Sequence, residues 1–381
     1  MYSNSNITNL VLDQKRLAGD PEADEVMSVI INNHSAPKAK QLFDTLIREV
    51  ELPLYKLPPE IQQFVSNNDS FPTWADNLKI KQAQELFIDH GPKFLMFLYF
   101  KSLPLLYSMK NGVQVLVKTG RLAHDSQSET VFTRRIAETG QFLLEVMSPD
   151  GFEKNKPAII AALKIRLIHS SIRHFVKKAN WNHSEFGIPI NQEDLAATLM
   201  TFSYSMIEGL QQFNIPVTKS EADAYQHFWR IIGFYMGIDE DLLPDSSDEA
   251  AHLLRVILER QSARSNEGEI MTRALTTFVS NRIDFGVLKS TPEILIRYLA
   301  GTKVANNIHL KRPDFWWLYY LLPAFLRTWF RIGESLEDRV SNLEKFADQT
   351  SVKLVKAMVN YFDSYKQRSF RIPEELSKKW L

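Results

Sequence analysis

The chain has 381 residues, balances 45 basic side chains against 45 acidic ones and contains no cysteine. Zero net charge supplies no global field for nucleic acid or anionic lipid. The missing thiols exclude disulfides, thiolate-ligated haem, iron–sulfur clusters and cysteine-based zinc sites. They also fit a reducing compartment, and the start Met1–Asn6 lacks the basic region and apolar run of a signal peptide. A cytoplasmic location is therefore expected.

Residues 1–20 read as polar and loose. Helical periodicity runs from Asp20 to about Gln63, punctuated by Pro37, Pro53, Pro58 and Pro59. Trp74–Tyr107 reads as two helices separated at Gly91-Pro92. Two stretches are unusually greasy, Phe94–Met109 and Phe315–Phe330. Each falls short of a clean span of roughly 18–20 residues and carries a proline and a basic residue, so buried helices are expected. The second is aromatic enough for an apolar binding surface or a peripheral membrane contact. Gly112–Lys118 alternates weakly, as a strand or a helix edge would. Thr119–Leu122 reads as a turn, and His124–Glu129 as a polar loop. A helix follows from about Thr130 to Met147. On it Arg135, Glu138 and Thr139 stand at i, i+3 and i+4 and share one face. Such a trio is by itself the usual signature of a solvated face or a helix-internal ion pair.

The most informative stretch is Pro157–Lys178, which has no internal Gly or Pro. Proline suits a first helical turn, and the two closing lysines complement a helix C-terminus. At about 100° per residue, His169 falls beside Ala162, Ile165, Ile172 and Val176 on the apolar stripe, whereas His174 lies roughly 140° away. One metal cannot be gripped by both. An inward imidazole next to small residues leaves space for a flat cofactor with an axial ligand. Taken alone, the helix is more simply read as carrying a core histidine satisfied by a hydrogen bond.

Beyond it, Asn191 is placed to cap a helix through Phe213. Thr218-x-x-Glu221 forms a capping box for a helix that carries His227, Trp229 and Arg230 and ends at Gly237. Pro244 and Ser247 open the next helix, Asp314 caps the aromatic one, and Ser335–Tyr365 is amphipathic and charged. No repeat and no long alternating run occurs, so the expected architecture is all-α, a single large domain over 1–381. Signatures of phosphate-binding loops, dinucleotide folds, zinc proteases and serine hydrolases are missing. Asp239-Glu240-Asp241 with Asp245 invites a divalent cation, but at a helix end solvated carboxylates are the plainer reading. Imidazole-ligated haem or a His/carboxylate metal site are the redox options left.

The ordered set is Arg135-x-x-x-Thr139, Arg166-Leu-Ile-His169-x-x-x-Arg173-His174, Glu193-Asp194-Leu195 through Ser203, Glu208-Gly209-Leu210 and Tyr225-x-His227-x-Trp229-Arg230-x-x-Gly233, with Leu243-Pro244 after it. It resembles the family of bacterial latex-clearing proteins (rubber oxygenases) and the fungal ER-bound MpaB-type oxygenase, over roughly residues 85–260. The resemblance implies a globin-like helical core with flanking helices, haem b as cofactor, and O2 and a hydrophobic, isoprenoid-like molecule as substrates. It implies His169 as proximal iron ligand and Arg135 and Thr139 on the distal side. His174, His227 and Arg230 match motif positions that would bind the cofactor by contacting its propionates, orient helices around it, or serve the structure alone. Arg166 and Arg173 are candidates for the haem carboxylates or for salt bridges to neighbouring helices. The chain departs from the rubber-cleaving branch at Glu138, where that branch has lysine; a carboxylate here would hold Arg135 or act as a base. A haem-based sensor or carrier of a small ligand, and a cofactor-free helical binding protein with a merely buried His169, are the alternative expectations.

Overall fold

The computed structural model describes residues 7–34, 38, 42, 57–122, 128–153, 156–281, 289–312 and 316–335. Among these the architecture is all-α, without a strand; the β-type pairing present is an isolated bridge between Met109 and Ser262. In chain order the helices are α1 (Asn9–Lys15), α2 (Pro21–Asn33), α3 (Pro59–Asn67), α4 (Asn77–Phe97), α5 (Leu103–Ser108), α6 (Val113–Leu122), α7 (Ser128–Val146) and α8 (Pro157–Lys178). Then come α9 (His183–Phe186), α10 (Gln192–Phe202), α11 (Tyr204–Gln212), α12 (Lys219–Tyr235), α13 (Ser247–Gln261), α14 (Asn266–Ser280), α15 (Thr291–Leu299), α16 (Thr302–Asn307) and α17 (Trp316–Ser335).

Local chemistry sets the boundaries. Asp20 caps α2 by accepting from the Ala23 N–H, and Asn191 caps α10 at Asp194. The expected capping box is present, with Thr218 and Glu221 satisfying each other's backbone N–H groups. A continuous apolar cluster runs from Leu12 to Phe330 through α4, α8, α10 and α12, with α4 packed along α12 and α7 and α12 both against α8. Asp314 and Ser335–Tyr365, read above as a cap and an amphipathic segment, fall outside the described residues save for Ser335 itself.

Several local expectations are corrected. Of the two readings of Gly112–Lys118, the strand is excluded and the helical one holds, since the segment begins α6, which also absorbs the turn expected at Thr119–Leu122. The helix through Gly91-Pro92 is not broken. A buried proline forfeits one backbone bond, and packing of α4 against α12 outweighs that loss. The irregularity comes later, as a π-helical turn over Leu98–Ser102. It carries Lys101, a buried cation paired with Glu208 at 2.8 Å and donating to Gln212 Oε1 and the Leu299 carbonyl. The helix expected from Asn191 to Phe213 divides at Ser203, whose φ of −98° and ψ of −88° are not helical. Residues 9–20 are not loose either. Leu12 is fully buried, and Arg16 pairs with Glu193 and Asp194, both at 3.1 Å.

Candidate functional site around His169

His169 sits midway along α8, on the stripe that includes the buried Ala162 and Val176. Its Nδ1 is enclosed and has no hydrogen-bond partner among the described residues. Burial pushes its pKa down to about 3; the Arg173 guanidinium adds to the shift and Asp20 opposes it. The imidazole is thus neutral at any physiological pH, the form in which histidine binds a metal. The residue is nevertheless only half-buried by surface. No cluster of three metal-ligating side chains occurs among the described residues.

The helix before α8 supplies the polar trio. Arg135, Glu138 and Thr139 are half-buried, not the fully solvated face that their spacing alone allows. Arg135 donates from Nη1 to the Leu116 carbonyl at 2.7 Å and from Nη2 to Thr119 Oγ1 at 2.6 Å, tying α7 to α6. Thr139 Oγ1 donates to the Arg135 carbonyl at 2.8 Å. The charge of Arg135 also reaches the buried Tyr107 phenol, where burial pushes the pKa up and the guanidinium partly opposes it.

The two arginines of α8 face α2. Arg166 donates to Asp20 from Nε at 2.6 Å and Nη2 at 2.9 Å, and Nη2 also reaches Glu22 at 2.8 Å. Arg173, 1% exposed, donates from Nε to Asp24 at 2.8 Å. His174 lies elsewhere on the cylinder, edge-on to Phe175, with Nε2 enclosed and without a partner among the described residues. Its pKa is lowered by burial and by Lys178 and Lys177.

His227 and Arg230 gather around Trp74 instead. His227 Nε2 accepts from the Asp76 N–H at 2.9 Å, and its ring stands edge-on to Trp74. Arg230 lies 4.0 Å over the Trp74 ring and pairs with Asp245. Asp239 and Asp241 both pair with Lys15 at 2.7 Å, so the acidic group that invited a cation reading is occupied by a lysine. A polar cavity of about 460 Å³, lined in part by Asp13, Arg16, His183 and Arg260, contains none of the candidate residues.

The catalytic-domain model described as ER-bound oxygenase mpaB/B'/rubber oxygenase matches residues 94–347. The chain belongs to this family. The match extends well past the motif-bearing range of roughly 85–260, into helices α14–α17 where no motif was legible. A rubber oxygenase of Streptomyces sp. (strain K30) is 24% identical over 300 residues, covering 77% of this chain and 71% of that protein. The solved structure of latex clearing protein LCP in its closed state superposes with a TM-score of 0.70 at 20% identity, covering 94% of this chain and 95% of that one. The fold is shared almost end to end, and the chain is an enzyme of the oxygenase class.

Sequence reasoning missed the acids of α2. Arg166 and Arg173, two guanidiniums on a mostly apolar helix, announced that carboxylates must face them. Which acids they were could not be read, because Asp20 and Asp24 lie about 150 residues away in sequence. Trp74, the platform for His227 and Arg230, was also missed.

Proposed function

We propose that this oxygenase is haem b-dependent and acts with O2 on a hydrophobic, isoprenoid-like substrate, with His169 as the axial iron ligand. The observation that carries the reading is the imidazole itself: desolvated, held neutral by burial and without a hydrogen-bond partner at Nδ1 among the described residues, on the helix that bears the family motif. An unpartnered buried ring nitrogen is costly in a cofactor-free core; His174 Nε2 shares that state, and the apolar stripe is what sets His169 apart as the ligand. The relative named rubber oxygenase supports the substrate class.

Bound through His169, the haem would supply the site at which dioxygen is activated. The remaining work falls to the chain's own side chains. Arg135 is a fixed cation whose guanidinium is oriented by Leu116 and Thr119, and a preorganised donor stabilises developing negative charge without reorganising. Thr139, whose proton is committed to the Arg135 carbonyl, is left to accept from a water or substrate hydroxyl. Glu138, beside it in sequence, is the candidate base. Apolar helices around α8 would receive the substrate and exclude water. Arg166 and Arg173 contribute by holding α8, while His174, His227 and Arg230 are assigned structural roles. The whole chain, 1–381, is proposed to act as one domain.

The test is oxygen uptake by the purified protein, supplied with haem b, on a panel of apolar alkenes including short polyisoprenes. Consumption of O2 with oxygenated products is expected. Haem uptake with no product from any alkene would instead select a carrier or sensor.

A further inference from the structure

Asp20 stands at the centre of a buried ion-pair network behind the candidate ligand. It is 3% exposed, caps α2 through the Ala23 N–H, and receives both the Nε and the Nη2 of Arg166. Its Oδ2 also lies 4.0 Å from Arg173 Nη2, a buried donor with no hydrogen-bond partner among the described residues. Arg166 precedes His169 by three residues and Arg173 follows it by four, so one carboxylate serves the guanidiniums on both sides of the ring. The surrounding backbone is built to this pair. Gly237, at φ +74°, passes so close that a Cβ there would lie 2.4 Å from Arg166 Nε and 2.6 Å from Asp20 Oδ2. Gln192 Nε2 bridges the carbonyls of Gly19 and Gly237, and Ser170 donates to the Ala23 carbonyl. All of α2 lies outside the range matched by the catalytic-domain model.

We propose that Asp20 is a positioning residue of the oxygenase site, which fixes the seating of α8 and neutralises the two guanidiniums that bracket the axial imidazole. The inference rests on His169 being that axial ligand. The physical reasoning is general. A second-shell group that orients a metal-bound histidine governs both metal retention and electronic character. Two buried, uncompensated cations next to an axial imidazole weaken its donation to iron and favour the more reduced, less positively charged metal. Asp20 opposes both effects, and Asp24 supports it at Arg173, whereas the Glu22 carboxylate on Arg166 is largely solvent-screened.

The experiment uses the full chain loaded with haem b and compares wild type with Asp20→Asn, Glu22→Gln and His169→Ala. The ferric/ferrous midpoint potential is measured by spectroelectrochemistry, and haem loss by transfer to an apo-globin acceptor. Asp20→Asn is expected to shift the potential positive and to release haem about 10–100-fold faster. Glu22→Gln removes a carboxylate whose side chain is 48% exposed and should leave both readings near wild type. A structural role alone would lower the melting temperature of Asp20→Asn without moving the potential, and that result contradicts the proposal. Should Asp20→Asn fail to fold, Asp24→Asn is the substitute, since it uncovers Arg173 from the other side. A smaller positive shift there supports the proposal and an unchanged potential overturns it. If His169→Ala keeps the wild-type haem spectrum, the ligand assignment fails instead, whatever Asp20→Asn does to the potential.

Discussion

His227 Nε2 accepts a hydrogen bond from the backbone N–H of Asp76 at 2.9 Å, so a histidine of the family motif anchors the residue that caps α4, a 21-residue core helix. The bond fixes the tautomer with the proton on Nδ1. It also leaves His227 facing Trp74 and Asp76, with no side-chain contact to α8 among the described interactions. Replacing His227 with Phe keeps the ring and removes the acceptor, leaving a backbone N–H unpaired. The expected cost is about 1–3 kcal/mol of folding free energy, with the haem spectrum unchanged. Urea unfolding of wild type and variant measures the first, and a visible spectrum the second.

Acid should destabilise the cofactor-free protein through the same residue. Burial, followed by Lys79 and Arg230, pushes the His227 pKa down to about 4, well below the ordinary histidine value. With the folded value depressed, the unfolded chain binds the proton first. The stabilisation is therefore complete above about pH 6.5 and is lost as pH falls towards about 4. The full difference amounts to about 3 kcal/mol at most. Melting temperatures recorded between pH 7.5 and pH 4 should fall across this window, and less steeply in His227→Phe. Parallel curves for the two proteins would remove His227 from the acid response.

Gly209 illustrates a motif residue whose reason is packing. A Cβ built on it would come within 2.8 Å of the Phe97 ring, which is itself fully buried and stacked on Phe213. Ala gains about 1 kcal/mol over Gly in a helix interior, but pressing a methyl into a ring that cannot retreat costs about 1–3 kcal/mol. Gly209→Ala should accordingly lower the melting temperature; a rise would mean that α11 can slide away from α4.

The helical character, the caps at Asn191 and Thr218 and the position of His169 on an apolar stripe were legible in the sequence, because each depends on residues within a turn or two of one another. Thr218 and Glu221 are three apart, and His169 and Ala162 seven. What escaped reading depends on tertiary partners. Pro92 looks like a break until α12 is placed against it, and residues 9–20 look loose until Arg16 meets Glu193 and Asp194. Arg135 looked like surface, yet its guanidinium is held by Leu116 and Thr119 of a segment that read as a strand or helix edge followed by a turn. Two expected features of Arg166 and Arg173 remained open for the same reason, since α2 supplies their partners from afar.

Arg135→Ala, Glu138→Gln and Thr139→Ala test the α7 face. Turnover should fall in all three with haem content retained, and Glu138→Gln should also flatten the acid limb of the pH–rate profile. Because Arg135→Ala frees α6 from α7, its haem content and melting curve are measured alongside turnover. Wild-type rates in all three variants would assign this face to packing alone.

Haem content decides the central claim most directly. Wild type, His169→Ala and His174→Ala are expressed with haem b and purified, and the haem per chain and the Soret spectrum are recorded. His169→Ala should lose the cofactor or bind it with an altered spectrum, while His174→Ala, on the other side of the same helix, should match wild type. Equal haem content and superimposable spectra in all three proteins would contradict the assignment of His169 as the axial ligand.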